Sequence, residues 1–257
     1  MAFKPFDLAG KNVVITGGNG GIGLGMAQGV AQAGANVCIW GRNKEKNASA
    51  HAALAKHGTK ILSFDVDVAQ ESAVIDAMNR AISELGRVDA VFANAGDGGG
   101  GARTMMDISA EKYRRVMQIN IDGVFHTLRE GARHMKSREG GGLLVGVSSI
   151  AAFKGMPGSE HYSATKGAVV SMVNCMAIEL ASVGIRANCI LPGPVHTDIT
   201  APMRGNEDFN KFVMRHSPMN RWGQPEEFGG IAVYLTSEAS SFHTGDSFVI
   251  DGGFTQY

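Results

Sequence analysis

The chain has little cysteine: three residues in 257, Cys38, Cys175 and Cys189, far apart and each in an apolar run. That spacing makes neither a disulfide framework nor a zinc site and implies buried, reduced thiols; no metal is expected. There is no excess of either charge, with 24 basic and 24 acidic residues. The balance gives no reason to expect nucleic acid or an anionic membrane as partner. No run of about 18 apolar residues is present, so no membrane span is expected. The opening stretch, Met1-Ala-Phe-Lys-Pro-Phe-Asp7, has no apolar signal region, which points to a soluble, reducing compartment, the cytoplasm. No linker, repeat or low-complexity stretch divides the chain. Residues 1–257 are read as one domain with ample chain for a core.

What is present is glycine, 35 residues gathered in clusters, which suits tight ligand loops rather than disorder. Short β-branched runs at 12–16, 36–40, 60–64, 89–93, 143–148, 186–191 and 247–250 read as strands. Helical patterns fall between them, at 24–33, 44–56, 70–85, 109–136, 160–182 and 225–236. Alternation of this kind predicts an α/β fold, a doubly wound parallel sheet of about seven strands with helices on both faces. Ligands of such sheets bind at the carboxyl ends of the strands. Thr16, the first glycine turn, Asn94 and Ser149 all fall at that end.

The turn Gly17-Gly-Asn19-Gly-Gly21-Ile22-Gly23 lies between the first strand and a helix. It matches a dinucleotide fingerprint in either of two registers, and its backbone can approach a pyrophosphate at the helix N-terminus. An NAD site usually has an acid at the end of the second strand. Here the chain reads Gly41-Arg42-Asn43. No carboxylate would repel a 2′-phosphate and Arg42 could bind one, which favours NADP(H) with NAD(H) possible; otherwise Arg42 points into solvent. Gly20 supplies none of the basic character some NADP sites have in this loop. Asp67-Val68 either reaches the adenine edge or makes a turn. In Asn94-Ala95-Gly96 small residues let the chain pass close to a cofactor, while Asn94 either contacts it or ties neighbouring strands.

Ser149 ends the fifth strand, and Tyr162 and Lys166 follow on a helix, four apart and so on one face. An unperturbed tyrosine has a pKa of about 10; a nearby ammonium would lower it and let it exchange a proton with a carbinol oxygen. Alone, such a pair is as readily a surface tyrosine beside a solvated lysine.

Taken together the motifs resemble the short-chain dehydrogenase/reductase family in its compact, single-domain branch. They are Thr16-Gly-x-x-x-Gly-Ile-Gly23, Asp67-Val68, Asn94-Ala-Gly96, Asn120, Ser149, Tyr162-x-x-x-Lys166, Pro192-Gly-Pro-Val-His-Thr197 and Asp251-Gly-Gly253, in family order over nearly the whole chain. Ser149 stands thirteen before Tyr162, the family's usual spacing. Ala93 departs from the further asparagine many members carry. Arg221-Trp-Gly-Gln-Pro-Glu-Glu227 is similar to 3-oxoacyl-carrier-protein reductases and to sugar and alcohol dehydrogenases.

The resemblance implies a Rossmann fold and an NAD(P)(H)-dependent interconversion of a ketone and a secondary alcohol. Tyr162 would be the general acid/base, Lys166 would lower its pKa and hold the nicotinamide ribose, and Ser149 would donate to the substrate oxygen. Asn120 would hold a water in a proton relay, or else mark a helix bend. Pro192, Gly193 and Val195 would shape the loop over the nicotinamide. Thr197 would bond the carboxamide or cap the next turn. Residues 196–217 would form a mobile substrate lid, and the glycines of 96–101 a flexible loop beside it. Helix 160–182 is apolar on more than one face, which suggests subunit contact; the family commonly forms homotetramers. The competing readings are a redox-inactive nucleotide-binding scaffold and a non-redox enzyme such as a dehalogenase. The small-molecule substrate itself is not legible.

Overall fold

The computed structural model describes residues 4–256. The β-branched runs become seven strands: β1 (Asn12–Thr16), β2 (Asn36–Gly41), β3 (Ile61–Asp65), β4 (Ala90–Ala93), β5 (Gly142–Val147), β6 (Ile185–Pro192) and β7 (Ser247–Ile250). Between and after them run α1 (Gly21–Gln32), α2 (Lys44–Leu54), α3 (Glu71–Leu85), α4 (Ala110–Met117), α5 (Gly123–Lys136), α6 (Glu160–Leu180), α7 (Ala201–Arg204), α8 (Glu207–His216) and α9 (Gly229–Thr236). The sheet is parallel throughout, in the order β3-β2-β1-β4-β5-β6-β7. This is the doubly wound α/β architecture the alternation predicts.

Successive side chains of a strand point to opposite faces, so each strand feeds two cores. Val14, Cys38, Trp40, Val91, Leu144 and Cys189 pack under α3, α5 and α6. Val13, Ile15, Val37, Ile39, Phe92 and Val145 pack under α1, α2 and α9. With both faces covered, the strands read as continuous apolar runs rather than as alternations. The chain winds outward from β1 to β3, then returns through α3 to place β4 on the other side of β1. Connections leaving β1 and β4 therefore diverge, and a crevice opens at their carboxyl ends.

Several elements differ from the sequence expectation in instructive ways. Helix α1 begins at Gly21, not 24, because the glycine turn folds directly into the first helical turn. The helix expected over 109–136 is two, α4 and α5, joined by a wider turn of π type at Gln118–Asp122. Asn120 sits fully buried in that turn. The region after 196 contains α7 and α8, the second capped by the Asn206 side chain on Phe209 N.

Cys38 and Cys189 are buried, and burial pushes both thiols up to about 12. Cys175 is exposed, contrary to the expectation of three buried thiols. It lies on the face of α6 turned away from the sheet, where apolar surroundings in sequence do not mean burial in space.

Glu160–Val183, with mean hydropathy 1.3, is long and apolar enough by composition to cross a membrane. In the fold it lies along β5 and β6, burying a stripe of Val169, Val173, Ala177 and Leu180. Ile178, on the outer face, is 84% exposed. A surface helix needs one apolar stripe, and this one has more.

Candidate active site

The first turn after β1 is shaped by contacts that only glycine permits. A β-carbon on Gly23 would stand 2.3 Å from Gly17 O, and one on Gly17 (φ +65°) 2.8 Å from Asn94 Nδ2. The turn is therefore closed on itself and against the Asn94 loop. Gly20 precedes α1 without a capping side chain, and the first turn of α1 carries no acid. Its amide groups and the positive end of the helix are left to an anion.

Asn94 fixes the neighbouring strand ends to each other. Its Nδ2 donates to Thr16 O (2.9 Å), and the amides of Asn94 and Ala95 donate to Thr16 Oγ1 at 3.0 and 2.9 Å. Of the two roles open from sequence, tying β1 to β4 is the one seen; Asn94 also lines the cleft.

The cleft beyond these turns has a volume of about 440 Å³. Of the residues singled out in the sequence, it gathers Gly17, Asn19, Gly21, Ile22, Arg42, Asn94, Ala95, Gly96, Ser149, Tyr162, Lys166, Pro192, Gly193, Val195 and Thr197. Four others do not line it. Gly23 lies behind the turn, against Gly17. Asp67 makes a tight turn instead, its Oδ1 accepting from Ala69 N at 3.1 Å. Val68 is buried against Gly123. Asn120 stands one layer back.

Asn120 is completely engaged there. Its Oδ1 accepts from Asp97 N (2.8 Å), and its Nδ2 donates to Asp97 O (2.9 Å) and Thr165 Oγ1 (3.1 Å). The widened turn between α4 and α5 thus both bends the helix and aims an amide that ties the glycine loop to α6. A larger hollow, about 480 Å³ between Lys11, Asp89, Arg186 and Glu238, lies at the opposite end of the strands and contains none of these residues.

Strand β5 delivers Ser149 and the first turns of α6 deliver Tyr162 and Lys166. Ser149 Oγ accepts from Ala151 N at 3.1 Å, which fixes its direction. Lys166 is buried; its Nζ donates to Val147 O (2.9 Å) and lies 5.5 Å from the centroid of the Tyr162 ring. Burial raises the Tyr162 hydroxyl above its ordinary pKa, while the hydrogen bond with Ser149 works in the other direction. Burial also pulls the Lys166 ammonium down to about 8. The expected lowering of Tyr162 by Lys166 is thus not the dominant effect. The ammonium sits over the ring rather than at the hydroxyl, and removal from water acts on both groups.

Sequence reasoning missed part of the rim. Asn43, Lys46, Asp198, Ile199 and Thr200 also line the cleft. Asn43 was findable, as a polar residue ahead of a helical pattern: its side chain caps α2 by accepting from Lys46 N at 2.9 Å. Asn47 behind it had no signal. This buried amide donates to Gly41 O, Phe64 O and Asp65 Oδ1 at 2.9, 3.2 and 2.7 Å, and accepts from Asn19 Nδ2 at 2.6 Å. It joins the ends of β2 and β3 to the glycine turn.

The family described as enoyl-(acyl carrier protein) reductase matches residues 17–255. Gluconate 5-dehydrogenase of Gluconobacter oxydans is 35% identical over 250 residues, 97% of this chain and 96% of that one. A short-chain type dehydrogenase/reductase of Mycobacterium marinum superposes with a TM-score of 0.93 at 35% identity, over 98% of both chains. The structure of a gluconate 5-dehydrogenase from Burkholderia cenocepacia in complex with NADP and tartrate gives 0.93 at 33%, over 100% of both. With its motifs gathered in one cleft and its whole length shared with these enzymes, the chain belongs to the short-chain dehydrogenase/reductase family, as an NAD(P)-dependent oxidoreductase of CH–OH and C=O groups.

Proposed function

We propose that the protein interconverts a ketone and a secondary alcohol, with Tyr162 as general acid/base and NADP(H) preferred over NAD(H). One observation carries the reading: Ser149, Tyr162 and Lys166 share a cleft with an uncapped helix N-terminus shaped for a pyrophosphate. The nicotinamide, when bound, supplies or removes the hydride. In reduction, the Tyr162 hydroxyl gives its proton to the carbonyl oxygen, which becomes the alcohol. Ser149 Oγ donates a second hydrogen bond to the same oxygen as it gains charge. Burial keeps the Tyr162 hydroxyl protonated, which suits proton donation, and Lys166 keeps the developing tyrosinate near a cation. Asn120 positions the glycine loop and α6 around this group.

The cofactor preference rests on the end of β2. A β-carbon at Gly41 would stand 2.1 Å from Asn19 Nδ2 and 2.6 Å from Asn47 Oδ1. The amide bridge fills the place where an acid would meet the ribose, and Arg42 offers a guanidinium beside it. Asp67 and Val68 would contribute to the adenine pocket only through the turn they form, and Gly23 by supporting the glycine turn. Pro192, Gly193, Val195 and Thr197 would border the nicotinamide. The uncovered face of α6 fits a homotetramer, and the cytoplasm is the compartment proposed. Because the relatives include gluconate 5-dehydrogenases, keto-sugar acids open the substrate panel.

The test is a parallel fluorescence titration with NADPH and NADH, followed by kinetics of Tyr162→Phe. NADPH should bind more tightly, and the variant should retain that binding while losing about 10²- to 10⁴-fold in kcat. A Tyr162→Phe protein as fast as wild type would remove tyrosine from the mechanism. Tight nucleotide binding with no turnover of any ketone or alcohol would favour a scaffold, and no nucleotide binding a non-redox enzyme.

A further inference from the structure

The segment Thr197 to Thr200 crosses the mouth of the cleft and touches both walls. The Thr197 methyl stands 3.1 Å from where a β-carbon of Gly21 would be, against the glycine turn. Ile199 Cγ2 stands 2.6 Å from the corresponding point on Gly98, against the glycine loop. Between them Asp198 reaches over to α2, where its Oδ2 accepts from Lys46 Nζ at 2.5 Å. Thr200 stiffens the strap from within: Oγ1 donates to Val195 O at 2.6 Å and accepts from Thr197 N at 3.1 Å.

Lys46 has a defined base. Its amide is held by the Asn43 cap in the first turn of α2, directly after Arg42. Arg42, Asn43 and Lys46 line the same end of the cleft. The Lys46 and Asp198 side chains are 53% and 85% exposed, so each is free to change partner. A phosphate dianion is a stronger partner for an ammonium than a single solvated carboxylate.

We propose that Lys46 is a cofactor-specificity residue shared between two anions: Asp198 of the strap in the free protein, and the 2′-phosphate of NADP(H) when the nucleotide binds. This rests on the NADP(H) reading and goes beyond it. The 2′-phosphate then does more than add a contact, because it takes away the ion pair that fastens the strap. NADH lacks the 2′-phosphate, its pyrophosphate is taken by the glycine turn at the start of α1, and it binds with the pair in place. The strap is therefore released by one cofactor and not by the other.

The experiment is a double-mutant cycle of Asp198→Asn and Lys46→Gln, read as dissociation constants of NADPH and NADH by fluorescence titration at fixed ionic strength. Both sites are exposed, and melting curves confirm folding. Asp198→Asn should tighten NADPH binding about two- to fivefold, the worth of an exposed ion pair, and leave NADH unchanged. Lys46→Gln should weaken NADPH roughly three- to tenfold, again sparing NADH. In the Lys46→Gln background, Asp198→Asn should have no further effect. The proposal is overturned if Asp198→Asn leaves NADPH unmoved or moves both nucleotides equally. It is equally overturned if the gain persists without Lys46, which would make it a general effect of removing a negative charge. Wild-type protein that binds NADH as tightly as NADPH would instead overturn the cofactor reading, before any variant is compared.

Discussion

Lys166 holds its proton less tightly in the folded chain, at about 8, than its ordinary 10.5, because burial disfavours the ammonium. Between those values the unfolded chain binds more protons than the folded one. Raising the pH through that window therefore removes a penalty, and this residue's effect on stability becomes more favourable. The penalty is on the order of 3 kcal/mol below pH 8. Comparing wild type with Lys166→Met by denaturant unfolding should show the variant's relative advantage shrinking from pH 8 to 10.5. A difference independent of pH would mean that the lysine is not desolvated. The ionised form is also the one able to support a tyrosinate, so ketone reduction should decline as pH rises past about 8. At this scale the candidates Ser149, Tyr162 and Lys166 were legible through the ordered set of motifs and the resemblance it carries, not through the spacing of the tyrosine and lysine alone. What was not legible was the balance of effects on Tyr162, since spacing shows that a cation shares a face but not that it sits over the ring.

At the scale of elements, the fold rests on close backbone approach. Gly25 in α1 faces the turn before α9, where a β-carbon would stand 1.9 Å from Pro225 O. Both partners are backbone and neither can step aside. Gly25→Ala should cost about 1–3 kcal/mol or more by overpacking, read as a fall of several degrees in Tm for a chain of this size. An unchanged Tm would show that α1 and the turn are not packed as described. Helix periodicity predicted α1 itself, yet nothing in the sequence says which of its glycines meets a neighbour. The widened turn at Gln118–Asp122 showed in the sequence only as the alternative of a helix bend at Asn120, for a related reason. Its residues continue a helical pattern, and only the need to bring Asn120 to Asp97 and Thr165 explains the extra residue in the turn.

At the scale of the whole molecule, the outer face of α6 carries apolar surface that the chain itself does not bury. Ile178 is 84% exposed, and Cys175, three residues earlier and so on the same side of the helix, is exposed with it. Ile178→Glu should shift the protein to smaller assemblies in sedimentation experiments without lowering secondary structure by circular dichroism. A wild-type monomer would remove the assembly altogether, and an assembly indifferent to the charge would place its interface elsewhere. The sequence by itself determined the parallel sheet, its approximate number of strands and the glycine turn. Each depends on periodicity or fixed spacing, which are local. Only the tertiary structure decided that Asp67 holds a turn on Ala69 N, that Cys175 faces outward, that Asn47 locks Gly41, and that Lys46 meets Asp198 across 152 positions of chain. Those outcomes depend on which surfaces the winding of the sheet brings face to face, and no local pattern encodes that.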